Sequence, residues 1–360
     1  MFSTKKRTYK QHYNEKDSFY KYSSPKFTEQ QALSENINTD ICIVGGGLTG
    51  ISAALNLADQ GYDVCIVEAN QIGSGASGRN GGQLGIGMRK DQLYLEKKFG
   101  FEKAEFFWNV GLDAVKNVTN LIIKYNIDCA LKPGILHAGN TKKDYKYFLE
   151  EIEHMKSKYN YDNYEYFDEN AIKDEVNTDQ YYSGLLTKDS FHLNPLKLTY
   201  GLANQCLGKG IKIFENSPID KIEEKGNDIL LFSKNAVIKS KKVIIACNGY
   251  LDNLLGSVSN FFMPINNYII ATEPLGEKLA RQIIKRNCGV VDSRFMIDYY
   301  RFSEDHRLLF GGPETLTSKF VNNPVEFVSK RLFRVFPDLK NYKIDFSWGG
   351  TLAISVNRLP

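Results

Sequence analysis

Apolar and polar positions repeat along this chain with two different periods, and the switches between them mark its elements. Ile41–Val44 is a continuous apolar run, the pattern of a strand buried on both faces. Ile51, Ala54, Leu55 and Ala58 follow at helical spacing, and Val64–Val67 form a second buried run that ends at Glu68. Helical periodicity then governs 91–125, Tyr145–Tyr159, Leu196–Leu207 and Val325–Phe336, the last stopped by Pro337. Strand patterns occupy Cys129–Ala138, with a turn at Pro133 and Gly134, and Ile211–Glu215, Ile219–Glu223, Ile229–Phe232 and Val243–Ala246. More follow at Asn267–Thr272, Phe295–Phe302, Leu308–Gly311 and Ile344–Trp348. The alternation predicts an α/β protein in which a discontinuous, Rossmann-like nucleotide-binding domain is interleaved with an α+β substrate domain on a mixed or antiparallel sheet. The first takes 39–90, 191–256 and 343–360, the second takes 91–190 and 257–342, and 1–38 form an N-terminal extension.

Between the first strand and its helix stand Gly45, Gly47 and Gly50, a G-x-G-x-x-G turn in its required strand–turn–helix context. Gly45 permits the tight turn, Gly47 lets backbone approach a pyrophosphate, and Gly50 lets the helix pack closely on the strand. The helix start, with Leu48 and Thr49, presents N–H groups and the positive end of its dipole to phosphates. Glu68, about 20 residues further on, is placed to accept from the ribose hydroxyls, and its charge would repel a 2′-phosphate. Such a unit serves NAD as well as flavin nucleotides. A second glycine-rich stretch, Gly73–Gln83, follows almost at once.

Composition narrows the class. With 360 residues, 42% hydrophobic and 24% charged, the chain supports about two globular domains. The formal charge of +4 is small, and much of the excess sits in the first 26 residues, beside Tyr9, Tyr13, Phe19, Tyr20 and Tyr22. No basic domain stands behind that arm, so nucleic acid is not an expected partner and the segment reads as an extension on the protein surface. No apolar run reaches the ~20 residues of a membrane span. The six cysteines are scattered without a C-x-x-C pair, and Cys42, Cys65 and Cys247 fall within strand patterns as buried thiols. The five histidines are dispersed, no metal site is expected, and a reducing cytoplasm follows.

From Asp40 onward the chain resembles the D-amino-acid-oxidase-like flavoproteins, and among them the γ-glutamylputrescine oxidoreductases. The resemblance is carried by GASGRNGGQ (Gly75–Gln83), HLNPLKLTYGLA (His192–Ala203), ATEPLG (Ala271–Gly276), DYYRFSEDHRLLFGG (Asp298–Gly312) and WGGTLAISVNRLP (Trp348–Pro360). It implies FAD as cofactor. GASGRNGGQ has no role in holding nicotinamide, which separates FAD from an NAD-dependent dehydrogenase. Ser74, Ser77, Arg79 and Asn80 can donate to phosphates and the ribityl chain, and Gly81 and Gly82 let backbone approach a flat ring. Ala69, Ala76 and Gln83 flank these groups, Ile219 matches the position whose backbone meets adenine, and Asn248 and Gly249 form a further turn toward the cofactor.

Two departures bear on activity. Members that oxidise α-amino acids carry an arginine two residues after W-x-G, to clamp the substrate carboxylate bidentately. Leu352 occupies that place here, so the expected substrate is a primary or secondary amine and not a simple amino acid, unless Arg301 or Arg358 takes the arginine's part. Tyr268, Tyr299, Tyr300 and Arg301 are the expected substrate contacts, with Arg301 facing a γ-glutamyl carboxylate. The implied reaction passes a hydride from the amine α-carbon to flavin N5; the imine hydrolyses to aldehyde and ammonia, and oxygen or another acceptor re-oxidises the flavin. No catalytic acid–base dyad is expected. The family also continues past the equivalent of Pro360 with a glycine-rich turn and a long helix, so a truncated, non-catalytic flavin- or nucleotide-binding remnant is the alternative, beside an oxidase of the glycine or sarcosine type.

Overall fold

The computed structural model describes residues 18–316 and 319–359, so the basic, aromatic stretch over 1–17 lies outside the described residues. Along the chain run β1 (Ile37–Val44), β2 (Val64–Val67), β3 (Gln83–Leu84), β4 (Lys132–Gly139) and β5 (Tyr164–Phe167). Then come β6 (Ser183–His192), β7 (Lys212–Phe214), β8 (Ile219–Lys225), β9 (Asp228–Ser233) and β10 (Val237–Ile245). The last five are β11 (Phe262–Thr272), β12 (Gly289–Asp292), β13 (Tyr299–Phe302), β14 (Leu308–Thr315) and β15 (Ile344–Ser355). They form two sheets. One has the order β7-β2-β1-β10-β9-β8, parallel through its first four strands and antiparallel at β9 and β8. The other has nine strands, β15-β11-β14-β13-β12-β4-β6-β3 with β5 beside β6, antiparallel except where β12 meets β4.

Local chemistry fixes the helices that brace these sheets. The helix Pro195–Gly208 starts with proline at its first turn, and the Asn194 side chain accepts from the N–H groups of Leu196 and Lys197. The helix Lys142–Tyr159 opens on a capping box between Thr141 and Asp144 and ends at Asn160, whose φ of 51° is left-handed. Pro133 and Gly134 do not turn the chain. They lie inside β4, where the register against β6 shifts between Pro133 and Ile135, so Gly134 at φ 91° makes an irregularity within a strand. The expected strand Phe295–Phe302 is shorter than its apolar pattern: β13 begins at Tyr299, and Phe295 is exposed.

The pleat of the nine-stranded sheet separates two cores. Ile269, Ala271, Leu309 and Trp348 face the six-stranded sheet and join Ile41, Ile43, Ile51, Leu55 and Leu196. Tyr268, Ile270, Tyr300 and Phe310 point the other way, into a core with Val328, Leu332 and Phe336 of the helix Pro324–Val335 and its C-terminal flank. Cys42, Val44, Cys65 and Val67 cover the far face of the six-stranded sheet with Ile219, Leu231 and Ile238.

Two boundaries differ from the sequence reading. Residues 343–360 were expected in the nucleotide-binding domain, but β15 pairs with β11 from Phe262↔Ser355 to Thr272↔Ile344 and lies in the other sheet. A strand's own residues do not identify its neighbour, which is why the apolar run alone misassigned it. The N-terminal extension is also more than a surface attachment. Phe19, Tyr20 and Leu33 are buried, and the Glu215 carboxylate accepts from the N–H groups of Gln30 and Ile72, tying that segment to the chain beyond β2.

Outside these cores, the helix Lys142–Tyr159 carries Glu151, whose pKa burial and the nearby Asp91 carboxylate raise to about 7. The folded protein therefore holds a proton that the unfolded chain releases near pH 4.5, and this group's contribution to stability falls as pH rises from about 4.5 to 7. Glu151→Gln is expected to gain about 1–2 kcal/mol over the parent at about pH 8 and to lose that advantage near pH 4.5, read from paired urea melts.

Candidate cofactor cleft

The parallel strands β1 and β2 end at a cleft of about 450 Å³, within the usual range for ligand sites. Its floor is Val44–Gly47 and Val67–Asn70, its side is Gly73–Ser77, and its far wall includes Ser217, Ile219 and Ala246–Asp252. Pro264, Asn266, Lys319, Phe320 and Thr351 close the end nearest the nine-stranded sheet.

Steric limits shape the glycine turn. Gly45 has φ of +119°, and a Cβ there would lie 2.5 Å from the Ala246 carbonyl oxygen. A Cβ on Gly50 would lie 2.0 Å from the Gly45 carbonyl oxygen, so the helix Leu48–Asp59 meets the strand end with no room for a side chain. A Cβ on Gly47 would meet Ser77 Oγ at 2.7 Å. That hydroxyl accepts from the Leu48 N–H at 2.9 Å, which pins the second glycine-rich stretch on the helix N-terminus. Thr49 is exposed and does not line the cleft.

Glu68 stands at the C-terminal end of β2 and accepts from the N–H of Gly46 at 2.7 Å and of Asn70 at 2.9 Å. Burial raises its pKa, while these N–H groups and that of Ala69 pull it back toward the carboxylate. Ala69 and Ala76 line the cleft beside it, and Ile219, Asn248 and Gly249 stand on the opposite wall. Asn248 Oδ1 also accepts from Ala353 N at 2.8 Å, joining that wall to β15.

The rest of Gly73–Gln83 turns away from the cleft. Arg79 is buried, its Nε donating to Ser74 O and its Nη1 to Gly349 O. Asn80 Nδ2 donates to Ala76 O and Ser77 O, and its Oδ1 accepts from Gly82 N. Gln83 Nε2 donates to Val290 O. These side chains bond to the protein, and Arg79, Asn80 and Gln83 do not line the cleft.

The four expected substrate contacts divide by strand parity. Tyr268 and Tyr300 face the outer core. The Tyr268 hydroxyl meets Thr315 Oγ1 and accepts from Val321 N, while Tyr300 donates to Tyr181 and stacks on Phe310. Neither reaches the cleft side, because residues of opposite parity in β11 and β13 do. Tyr299 is on that side, its ring against Gly81 and Gly311 and its hydroxyl bonded to Asn267 Oδ1. Arg301 is also there, but it donates to Gly81 O, Phe302 O and the Tyr20 hydroxyl, which leaves it no carboxylate-facing fork. Arg358 is exposed beside the Phe295 ring. Ser217, Tyr250, Asn266 and Thr351 on the cleft wall were missed, since single polar residues in strands and turns carry no periodic signal. Only the proximity of Ser217 to Ile219 and of Tyr250 to Asn248 in the sequence could have suggested two of them.

The model of the family described as FAD dependent oxidoreductase (DAO) matches residues 40–360. The chain belongs to that family. It is similar to gamma-glutamylputrescine oxidoreductase of Escherichia coli (strain K12), with 36% identity over 344 residues, 95% of this chain and 80% of the relative. A probable oxidoreductase, OrdL, of Haemophilus influenzae is 34% identical over 348 residues, again 95% of this chain and 80% of the relative. Glycine oxidase from Geobacillus kaustophilus shares the fold at a TM-score of 0.73 and 17% identity, covering 90% of this chain and 85% of that one. The protein is thus an FAD-dependent oxidoreductase. The clearance-free glycine turn, the carboxylate of Glu68 and the cleft of about 450 Å³ beside them fit a dinucleotide, and no helix of the described residues is long and apolar enough to cross a membrane.

Because the Gly50–Gly45 contact leaves no slack, Gly50→Ala is expected to destabilise the fold by about 3 kcal/mol. It should also abolish the flavin bands expected of the parent loaded with FAD. Thermal melting and a visible spectrum check the two effects separately.

Proposed function

We propose that this oxidoreductase acts on an amine of the γ-glutamylputrescine type and not on a free α-amino acid. The observation that carries the reading is the fate of the arginines. Arg301 spends its donors on Gly81 O, Phe302 O and Tyr20, and Leu352 is an aliphatic strand residue beside Gly249. Neither supplies the bidentate fork that an α-carboxylate requires. The likeness to the Escherichia coli enzyme over 95% of the chain supports the same substrate class.

In this reading Gly45 and Gly47 admit the pyrophosphate, Glu68 accepts from the adenosine ribose, and backbone at Ile219 meets adenine. Ser74, Ala76, Asn248 and Gly249 line the remaining length of the cofactor. Tyr299 stays as the substrate-side candidate, presenting a ring on the face of β13 that looks toward the six-stranded sheet. Bound FAD supplies the acceptor for the hydride leaving the amine α-carbon. The two-electron loss leaves an imine, which water converts to γ-glutamylaminobutyraldehyde and ammonia, and oxygen or another acceptor takes the electrons. Such a reaction rests on placement of a neutral amine more than on an acid–base pair.

The test is the visible spectrum of the FAD-loaded protein under anaerobic conditions, with γ-glutamylputrescine or glycine added in turn. Bleaching by γ-glutamylputrescine at low concentration supports the reading. Bleaching by glycine alone, or bound flavin that neither compound reduces, overturns it. Glu68→Ala is expected to weaken FAD binding by about 10–100-fold, the worth of a charged hydrogen bond, as followed by flavin fluorescence titration.

A further inference from the structure

Three successive carbonyl groups of the Gly73–Gln83 stretch are each held by a side chain from a different, distant part of the chain. Trp348 Nε1 of β15 donates to Arg79 O at 3.0 Å. The Tyr20 hydroxyl, from the N-terminal helix Phe19–Ser23, donates to Asn80 O at 2.9 Å. Arg301 Nε of β13 donates to Gly81 O at 2.9 Å. The donors also hold one another: Arg301 Nη2 reaches the Tyr20 hydroxyl at 3.1 Å, and the Tyr20 and Trp348 rings meet edge-on with centroids 5.2 Å apart. All three side chains are buried, and burial raises the Tyr20 pKa despite the neighbouring guanidinium, so the hydroxyl keeps its proton as a donor.

Such convergence has a mechanical meaning. The backbone from Arg79 to Gly82 connects Ala76 and Ser77 on the cleft wall to β3 at the edge of the nine-stranded sheet. Gly81 and Gly82 give it little intrinsic stiffness, and Gly82 sits at φ +72°. A peptide carbonyl fixed on one side turns the next N–H to the other, so three fixed carbonyls determine the course of the whole turn. We propose that Tyr20, Arg301 and Trp348 form a three-donor clamp that sets the cofactor-loop backbone against the substrate sheet. They are positioning residues for FAD. The proposal rests on the cofactor assignment of the cleft and is independent of which amine is oxidised.

Three substitutions each remove one member's donor to the loop: Tyr20→Phe and Trp348→Phe keep an aromatic ring without the O–H or N–H, and Arg301→Lys keeps the charge without the Nε donor and the planar fork. Amide hydrogen exchange is measured on the full chain without added FAD, comparing residues 79–84 with the β2 strand 64–67. The loss of one buried hydrogen bond is expected to accelerate exchange about tenfold in 79–84 and to leave β2 unchanged. The same variants are expected to bind FAD about tenfold more weakly and to shift the visible bands of the bound flavin. Pairing Tyr20→Phe with Arg301→Lys should cost less than the sum of the single effects, since the two share a hydrogen bond. Exchange over 79–84 that matches the parent in all three variants overturns the clamp. Faster exchange with parental FAD affinity and spectrum overturns its role in cofactor positioning. A parent that binds FAD but is not bleached by γ-glutamylputrescine removes the proposed substrate and leaves the clamp standing.

Discussion

The contact between the helix Leu48–Asp59 and the end of β1 has no tolerance, and the cleft is built outward from it. Where a Cβ on Gly50 would stand 2.0 Å from the Gly45 carbonyl oxygen, the helix axis is fixed against the strand. The helix N-terminus then has one location relative to Glu68, and Ser77 can reach the Leu48 N–H only because of that location. From this point the second glycine-rich stretch takes its course: across the cleft wall, through the clamped carbonyls, and into β3. A fraction of an ångström at one backbone contact is thus carried to the edge of the nine-stranded sheet.

Burial and hydrogen bonding share the work unequally between the two sheets. The six-stranded sheet is held mainly by apolar strands such as Cys42–Val44 and Val64–Val67, with Ser240 accepting from the Cys42 N–H as a buried polar tie between β1 and β10. Polar groups meet where the nine-stranded sheet borders the cofactor loop: Arg79 of the loop donates to Gly349 O, and Trp348 and Arg301 of the sheet donate to Arg79 O and Gly81 O. Buried polar groups satisfied in this way specify one arrangement of the two sheets, because any slip would leave a guanidinium or an indole N–H unpaired in the interior.

The sequence was most legible where period and glycine chemistry agreed. The β1–turn–helix–β2 unit, the helix after Asn194 and the mixed sheet were all readable, since each rests on neighbours in the chain. Partners were not readable. The pattern of Ile344–Ser355 says strand but not which sheet, and the tyrosines of β11 and β13 say strand residue but not which face. Parity against Trp348 or Gly81 would have sorted Tyr299 from Tyr300, yet the register that defines parity is a tertiary fact. Arg301 misled for the same reason. A buried arginine looks like a ligand-binding group until the carbonyl groups that occupy it are known. The polar, aromatic look of Phe19–Tyr22 concealed two rings that belong to the central core.

The distances in sequence across the clamp carry a consequence for how the chain comes to be folded. Tyr20 and Arg301 are 281 residues apart, and Arg79 and Trp348 are 269 apart. The socket of the helix Phe19–Ser23 is completed by β13 and β15, through Arg301 on the Tyr20 hydroxyl and Trp348 against the Tyr20 ring. Contacts of such long range close late and slowly. A clamp joined across such separations exists only once both sheets have docked, so its three hydrogen bonds report the assembled tertiary fold and not the order of any one segment.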